Sequence, residues 1–252
     1  MEGLNSIGTP DISVVIICNR QEKRLKQVIN AVQNGTVQKE IILVLSAEMA
    51  GRNITAPEDN IRVVLSRRQG RGYACYEGAR VANGRIILFL HADTVLPMSW
   101  DRLVLESLQD KKRTGGGFSI TYDSNNWFLR NVSPYINLYS KIFKEIWGDR
   151  GIFIDKQALM PYLDALQVPI MEDIKLSRII HLHGKMVILH ERVVTSADHF
   201  RSRGYWNHIL SILLFRILYA FGVSEGRIYK WYYGIELKEF PTATNRNKPI
   251  LK

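Results

Sequence analysis

The stretch from Asp11 to Ser46, DISVVIICNRQEKRLKQVINAVQNGTVQKEIILVLS, predicts a strand, a helix and a second strand in succession. Ile12–Ile17 and Glu40–Leu45 are short apolar runs, which are typical of strands buried on both faces of a sheet. A helix is predicted over Gln21–Gln33, because its apolar residues recur at helical spacing and share one face. These residues are Leu25, Val28, Ile29 and Val32. A strand–helix–strand unit of this kind builds a parallel sheet.

The same alternation continues in the segment that follows. Ile61–Leu65 and Ile86–Leu90 are predicted strands, and Gly72–Ala82 is a predicted helix that Asn83-Gly84 ends. We therefore predict an α/β fold in which helices cover both faces of a parallel sheet. In such sheets the ligand crevice lies beyond the carboxyl ends of the strands. The loops of interest are those after Ile17, Leu45, Leu65 and Leu90.

The second half of the chain is less regular. Predicted strands are Gly115–Tyr122, Lys185–Leu189 and Val193–Ser196, with a turn and short strand at Gly148–Ile154. Predicted helices are Trp127–Ile146, interrupted by Pro134, then Glu172–Leu182, and two within Gly204–Tyr233 that separate near Gly222. Residues 1–235 are expected to form one domain that includes the helices from about residue 204. Residues 236–252, rich in Lys, Pro, Asn and Thr, are expected to form a flexible tail.

The chain is basic, with a formal net charge of +10 at pH 7 and a pI of about 9.6. This charge favours anionic partners, namely nucleic acid, phosphorylated small molecules or an acidic membrane surface. No RNA- or DNA-binding motif is recognisable, so a nucleic-acid partner is not expected. Cys18 and Cys75 lack the spacing of a zinc or redox motif, so we expect reduced thiols in a cytosolic protein.

The most hydrophobic segment, Ile209–Val223, bears on location. It is broken by Arg216 and is shorter than the ~20 apolar residues of a membrane-spanning helix. No signal peptide is recognisable before the first strand. Apolar residues are too crowded in this segment to share one helix face, and basic residues and Trp231 lie nearby. Two interpretations remain open: the helix makes peripheral contact with the inner face of the membrane, or it packs on the domain or on a second subunit.

His91 and Asp93 follow a predicted strand in the stretch RIILFLHADTVLP, Arg85 to Pro97, and so lie at the predicted crevice. A carboxylate there can bind a divalent cation, and that cation can neutralise a diphosphate. The alternative is that Asp93 caps a turn or a helix that begins near Pro97 and Ser99. Position and residue type alone favour this alternative.

Four further segments change that balance, because together with this one they resemble the family 2 glycosyltransferases of the GT-A fold. The five segments are GRGYACYEG, LFLHADTVLP, WGDRGIFIDK, PIMEDIKLSRIIHLHG and VTSADHFRSRG. The resemblance runs from about Ile12 to Tyr233 and is nearest to a small bacterial branch of arsenosugar-biosynthesis type. It implies a three-layer α/β/α nucleotide-diphospho-sugar transferase fold with a mainly parallel central sheet. It also implies metal-assisted, inverting sugar transfer from a nucleotide-diphospho-sugar donor to a sugar or lipid acceptor.

On the donor side, the resemblance places Asp93 at the last aspartate of a DxD-type metal motif and His91 at the first. Together they are implied to hold Mn²⁺ or Mg²⁺ against the donor diphosphate. An imidazole is a better ligand for manganese than for magnesium, so the alternative is that His91 donates to a phosphate oxygen. Arg71, beside Gly70 in the GRG turn, matches a basic position that faces the donor nucleotide, and a guanidinium suits phosphate.

On the acceptor side, Glu172 and Asp173 match the catalytic ED pair, with Asp173 implied as the general base for the acceptor hydroxyl. Acidic residues also suit the first turn of a helix, and the two interpretations are compatible. Gly148 and Asp149 match a GD pair on the acceptor side. A later segment is implied to contribute cationic contacts to the diphosphate through His199, Arg201 and Arg203.

Other positions depart from the resemblance. Arg20 and Gln21 replace the usual Asn-Glu after the first strand, Leu45 stands where a nucleobase-binding aspartate is expected, and Arg150 replaces a glutamine. Two donor-side carboxylates are therefore absent. Either the donor nucleotide differs or is held by backbone and Arg20, or the chain is a catalytically impaired nucleotide-sugar-binding or scaffold protein of the same fold.

Overall fold

A computed structural model of the chain describes residues 9–19, 23–46 and 60–235. In this part of the chain the strands are β1 Ile12–Cys18, β2 Lys39–Leu45, β3 Ile61–Leu65, β4 Ile86–His91, β5 Thr94–Val95, β6 Arg113–Tyr122, β7 Ile152–Asp155 and β8 Lys185–Thr195. The helices are α1 Leu25–Gln33, α2 Arg71–Val81, α3 Trp100–Ser107, α4 Trp127–Phe143, α5 Lys156–Leu159, α6 Glu172–His183, α7 Asp198–Arg203, α8 Tyr205–Ala220 and α9 Glu225–Tyr233. Gly148–Arg150 and Met160–Leu166 are 3-10 turns.

The strands form one sheet in the order β3-β2-β1-β4-β7-β6-β8-β5. The neighbours from β3 to β4 pair in parallel, as do β6 and β8. Strand β7 pairs antiparallel with both β4 and β6, and β5 pairs antiparallel with β8. The parallel half contains the four strands predicted from the first part of the sequence. This mixed α/β arrangement confirms the predicted fold class.

Each face of the sheet packs on its own layer of helices. Val14 and Ile16 of β1 lie in an apolar cluster with Val28 of α1. The alternate β1 residue Val15 lies in a second cluster with Ala74 of α2. Successive side chains of a strand point to opposite faces, so a strand buried on both faces must be apolar at every position. Each such side chain contributes about 1.5–3 kcal/mol on burial, which stabilises the three layers together.

The N-terminus of α2 lies directly against the loop that leads into α6. The Arg71 backbone N–H donates to the Pro169 carbonyl at 3.1 Å. A Cβ on Gly72 would stand 2.3 Å from the Val168 carbonyl oxygen, and a Cβ on Gly70, whose φ is +129°, would stand 2.5 Å from Pro169 Cα. Only glycine permits this approach. The approach places Arg71 beside the first residues of α6.

Two predicted breaks in secondary structure are wrong. Pro134 does not interrupt α4, because it lies on the exposed side of the helix, where solvent can replace the donor that proline lacks. The two predicted strands after residue 185 are one strand, β8. Leu189 pairs with Phe118 and Arg192 with Ser119, so the two residues between them form a bulge that keeps the strand continuous.

The C-terminal helices α8 and α9 separate at Gly222 as predicted, with a φ of +87° there. Ile212 and Phe215 of α8 pack against the domain, whereas Leu210 and Leu214 are exposed. None of the helices within residues 9–19, 23–46 and 60–235 has the length and hydropathy needed to cross a membrane. The predicted tail at 236–252 and the predicted helix start at Gln21 lie outside the described residues.

Gly72→Ala is expected to destabilise the chain by about 1–3 kcal/mol, because its methyl group would push against backbone that cannot move without shifting the entry to α6. Chemical denaturation measures this as a lower midpoint with an unchanged slope. Gly222→Ala has the opposite character, because its φ of +87° is positive and nothing lies within 4 Å of its Cβ, so it reports backbone strain without steric overlap. An unchanged denaturation midpoint in Gly72→Ala would contradict the steric explanation.

Candidate active site

A cavity of about 430 Å³ lies at the carboxyl ends of the parallel strands. It is lined by Asn19 after β1, Ser46 after β2, His91 at the end of β4, and Asp93. This is the place where the strand pattern predicts the ligand crevice. The sheet therefore delivers polar side chains from three neighbouring strands to one space.

The first ion pair at the cavity joins α2 to α6. Arg71 Nε lies 3.0 Å from Glu172 Oε1, and Glu172 is only 2% exposed. Arg71 lines the cavity, whereas Glu172 lies behind it. A buried carboxylate is costly unless it is paired, so Glu172 fixes the position of the guanidinium that faces the cavity.

A second ion pair joins α6 to α8. Arg216 Nη1 lies 3.2 Å from Asp173 Oδ2, and Arg216 Nη2 lies 2.6 Å from Glu145 Oε1. The Arg216 guanidinium also stacks over the Trp147 ring at 5.4 Å from the ring centroid. Asp173 lines the cavity, so this carboxylate is held from the side of the C-terminal helices while it faces the ligand space.

Gly148, in the segment WGDRGIFIDK, lies next to residues of the segments LFLHADTVLP and PIMEDIKLSRIIHLHG. Its backbone N–H donates to Asp173 Oδ2 at 3.2 Å. A Cβ at this position would stand 3.3 Å from Glu172 Oε1 and 3.4 Å from His91 Nε2. A side chain here would require these neighbours to shift by a few tenths of an ångström. The glycine of the WGDRG segment therefore allows close packing between β4, the 3-10 turn and α6.

The pKa values of the two consecutive carboxyls, Glu172 and Asp173, are shifted in opposite directions. Burial raises the pKa of Glu172 from 4.5 to about 7, with Asp173 adding to the rise and Arg71 opposing it. Burial also acts to raise the pKa of Asp173, but Arg216 and Arg71 together lower that pKa below its ordinary value. Asp173 is therefore ionised near neutral pH, and the pKa of Glu172 lies well above that of Asp173. Carboxyls whose environments separate their pKa values in this way are typical of catalytic sites.

Asp149 and Arg150 follow Gly148 in the same turn and have different surroundings. Asp149 lines the cavity, burial raises the pKa of its carboxyl, and its Oδ1 has no hydrogen-bond partner among the described residues. Arg150 is fully buried and donates from Nη2 to the Ile136 carbonyl at 2.9 Å and from Nη1 to the Phe118 carbonyl. Arg150, which replaces the usual glutamine, therefore ties the turn to α4 and β6.

His91 and Asp93 both line the cavity. Asp93 is 9% exposed, and its Oδ1 accepts a hydrogen bond from the Thr94 hydroxyl at 3.3 Å. The N-cap of α3 is Ser99, so Asp93 does not cap that helix. No group of three or more His, Cys, Asp or Glu side chains placed to hold a metal occurs in the described ranges.

At the ends of β1 and β2 the cavity is lined by Asn19 and Ser46. Ser46 Oγ donates to the Asn19 carbonyl at 3.1 Å, and Asn19 Oδ1 is buried without a partner in the described part of the chain. Leu45 is buried in the sheet at the end of β2. Arg20, predicted on this side, lies outside the described residues.

The predicted late cationic segment coincides with α7. Arg201 Nη1 pairs with Asp198 Oδ1 at 3.0 Å and its Nη2 donates to the Asp123 carbonyl, and Arg201 is not among the residues that line the cavity. The side chains of His199 and Arg203 lie outside the described part. Phe200 of the same helix does line the cavity.

The wall formed by the C-terminal helices was missed by the sequence analysis. Its residues come from α8 and α9 and include an arginine, a histidine and several aromatic rings. They are His208, Ile212, Phe215, Arg216, Tyr229, Tyr232 and Tyr233. One signal could have found it: Arg216 is the single charge in an apolar helix, and such a charge needs a buried partner.

Comparisons with known proteins agree with this geometry. Residues 13–162 match the sequence profile of the family described as glycosyl transferase family 2. No curated protein matches the chain. The structure resembles the crystal structure of S. aureus TarS 1-349 in complex with UDP-GlcNAc, with a TM-score of 0.54 and 13% sequence identity. The match covers 74% of this chain and 58% of that one, so the chain spans little more than half of that structure's length. The chain belongs to glycosyl transferase family 2.

Arg216→Ala is expected to destabilise the chain by about 3–5 kcal/mol at neutral pH, because it leaves the Asp173 carboxylate buried without its closest cation. The lowered pKa of Asp173 stabilises the folded state above its unfolded pKa of about 3.9 and ceases to do so as the pH falls through the folded value. The difference in the free energy of unfolding between wild type and Arg216→Ala should therefore be smaller in acid than at pH 7. Urea unfolding at pH 7 and below pH 4 measures it.

Arg130→Ala is the matched control, because Arg130 is an exposed arginine of α4. It should change stability by less than about 0.5 kcal/mol at either pH. An Arg216→Ala deficit of the same size at both pH values would contradict the pairing with Asp173.

Proposed function

We propose that the chain is an inverting, metal-assisted glycosyltransferase that moves a sugar from a nucleotide-diphospho-sugar donor to an acceptor hydroxyl. The observation that carries this proposal is the presence of Asp173, Arg71 and Asp93 on one cavity in a member of glycosyl transferase family 2. TarS was crystallised with UDP-GlcNAc, which supports a nucleotide sugar as the donor class. Within the family, the five sequence motifs favour the small bacterial branch of arsenosugar-biosynthesis type.

We assign the donor diphosphate to the α2 side of the cavity. Gly70 and Arg71 begin α2 there, and a helix N-terminus favours an anion. Arg71 uses Nε for Glu172, so its Nη groups are the ones available to phosphate oxygens. Glu172 is accordingly a positioning residue in this proposal, because it holds Arg71 and does not itself line the cavity.

The residues present fit a divalent cation bound together with the donor. His91 and Asp93 offer one nitrogen and one carboxylate, a set that suits Mn²⁺ better than Mg²⁺, and diphosphate oxygens would complete the coordination. When bound, the cation neutralises charge on the departing nucleoside diphosphate. The protein's part is to hold these two ligands at the end of β4, in a cavity where the nearby Arg71 adds positive charge.

We assign the general base to Asp173. It is ionised at neutral pH, lines the cavity, and is held in place by Arg216 and the Gly148 N–H. An inverting transfer needs a carboxylate that takes the proton of the acceptor hydroxyl as this hydroxyl attacks the anomeric carbon. The charges of Arg216 and Arg71 lower the pKa of Asp173, so proton transfer is expected late, when the attacking oxygen has already become acidic.

We assign the acceptor to the side of the cavity that carries Gly148 and Asp149. Asp149 lines the cavity, and its carboxyl is a hydrogen-bonding group for a substrate hydroxyl. Tyr229 and Tyr232 of α9 add aromatic faces across the cavity. Because α8 and α9 supply this wall, we place them in a single catalytic domain that extends to about residue 235.

A catalytically impaired nucleotide-sugar-binding protein is the second candidate. It is favoured by one observation, the apolar Leu45 at the end of β2, where the resemblance expects a carboxylate for the nucleobase. Both candidates bind a nucleotide sugar, and only the first cleaves it.

Nucleoside diphosphates are expected to stabilise the wild type in the presence of Mn²⁺ and to do so less in its absence. A ligand at about 100 times its dissociation constant adds about 2.7 kcal/mol, which a thermal-shift screen of UDP, GDP, CDP and ADP detects. Asp93→Ala should abolish the metal-dependent part. Asp110→Ala, at an exposed aspartate after α3, should keep it. If a nucleotide stabilises the chain equally with and without Mn²⁺, and equally in wild type and Asp93→Ala, the donor-side assignment is contradicted.

Asp173→Asn is expected to lower turnover by about 10²–10⁴-fold, because the amide cannot accept the hydroxyl proton. The measurement is release of nucleoside diphosphate from the nucleotide sugar that stabilises the chain most. Metal-dependent nucleotide binding should remain, which separates lost catalysis from lost folding. A wild type that binds the nucleotide sugar but never releases diphosphate with any acceptor would favour the second candidate.

A further inference from the structure

Helix α4 carries an apolar stripe that no described residue covers. Trp127 is 76% exposed and Tyr135 is 72% exposed, although both belong to a helix packed on the sheet. Leu138 and Ile142 continue the same line at spacings of three and four residues. Residues at these spacings share one side of a helix. The buried side of α4, which carries Ser133 and Ile136, points the other way.

Helix α8 carries a second exposed apolar stripe. It runs the length of the helix at spacings of three and four residues through Trp206, Leu210, Leu213, Leu214, Ile217 and Phe221. The α8 residues on the cavity, Ile212 and Phe215, lie roughly on the opposite side at about 100° per residue. One side of α8 therefore completes the candidate active site, and the other side faces away from it.

The two helices lie side by side. Near their N-termini the Phe128 and Trp206 rings meet with centroids 4.8 Å apart. Further along, Tyr139 of α4 lines a groove with Leu213 and Ile217 of α8. Because the helices are in contact at both of these positions, their exposed apolar stripes lie next to each other. We call the exposed apolar residues of these two helices the α4–α8 surface.

The charged residues on the two helices are all basic. Neither α4 nor α8 contains an aspartate or a glutamate. Glu145, which lines the groove between them, is paired with Arg216. Arg130 and Lys141 are exposed on α4, and Lys144 is exposed at its end. A second copy of the chain would bring the same cations together across a symmetric contact, which is unfavourable. A lipid bilayer with anionic headgroups over an apolar interior matches both the exposed cations and the apolar stripes.

Aromatic residues strengthen the match to a lipid surface. Trp127, Tyr135 and Trp206 are large, exposed and placed among aliphatic side chains. Trp and Tyr rings concentrate at the boundary between headgroups and acyl chains, because one end of the ring system is apolar and the other forms hydrogen bonds. Contiguous exposed apolar patches larger than a few hundred Å² are rare on monomeric proteins and mark interaction sites.

We propose that the α4–α8 surface docks on an anionic lipid bilayer. The apolar stripes of α4 and α8 enter the headgroup region, and Arg130, Lys141 and Lys144 contact lipid phosphates. The docking places the domain at the membrane without a spanning helix. It goes beyond the proposed function and does not depend on it, since vesicle binding requires no turnover.

Flotation of the full chain with vesicles tests the proposal. We expect binding to phosphatidylglycerol mixed with phosphatidylcholine, and much weaker binding to phosphatidylcholine alone or at high ionic strength. Leu210→Glu combined with Leu214→Glu should weaken binding by about tenfold or more, because two carboxylates would enter the apolar layer. Leu182→Glu is the matched control, since Leu182 is 55% exposed on α6, outside this surface. It should bind like wild type.

Each other outcome would overturn the proposal. If the wild type does not bind vesicles but sediments as a dimer that Leu210→Glu dissociates, the surface belongs to a second copy. If a chain that ends at residue 235 binds and the full chain does not, residues 236–252 occupy it. Equal weakening by Leu182→Glu would show that added negative charge alone explains the effect. Unchanged thermal unfolding of each variant establishes that it is folded.

Discussion

Two consecutive buried carboxylates, Glu172 and Asp173, impose an arrangement on the helices around the cavity. Burial of one carboxylate costs several kcal/mol unless a cation accompanies it. Glu172 obtains Arg71 from α2, and Asp173 obtains Arg216 from α8. These helices are far apart in the sequence and meet at the first turn of α6. The glycines at 70 and 72 contribute to this arrangement, because each lets the backbone of α2 approach the entry to α6 closely.

The sheet and the C-terminal helices contribute different things to the cavity. Strands β1, β2 and β4 are mainly apolar and are followed by or end in polar residues, so their burial carries Asn19, Ser46 and His91 to one edge. Helices α8 and α9 close the opposite side with aromatic rings and Arg216. Because the same helix α8 also presents an exposed apolar stripe, the ligand cavity and the α4–α8 surface share one structural element. Movement of α8 would alter both.

Much of the fold and half of the candidate site could be predicted from the sequence. The parallel strands and the positions of Arg71, Asp93 and Asp173 follow from local pattern and motif order, and the structure brings all three residues to one cavity. Pro134 and the bulge in β8 could not be predicted, because the cost of each depends on whether the affected backbone faces solvent. The pairing of Arg201 with Asp198 likewise depends on where α7 packs.

The sequence by itself determined the strand–helix alternation, the family and the motif residues, since periodicity and spacing are properties of neighbouring residues. Tertiary structure alone decided the partners of the charged residues. Arg216 stands in an apolar segment that the sequence allows at a membrane, on the domain or against another subunit, yet it pairs with Asp173, 43 positions away. Separations of this kind are bridged only by packing of the whole chain. The cost of a buried charge then selects the partner that packing brings within reach.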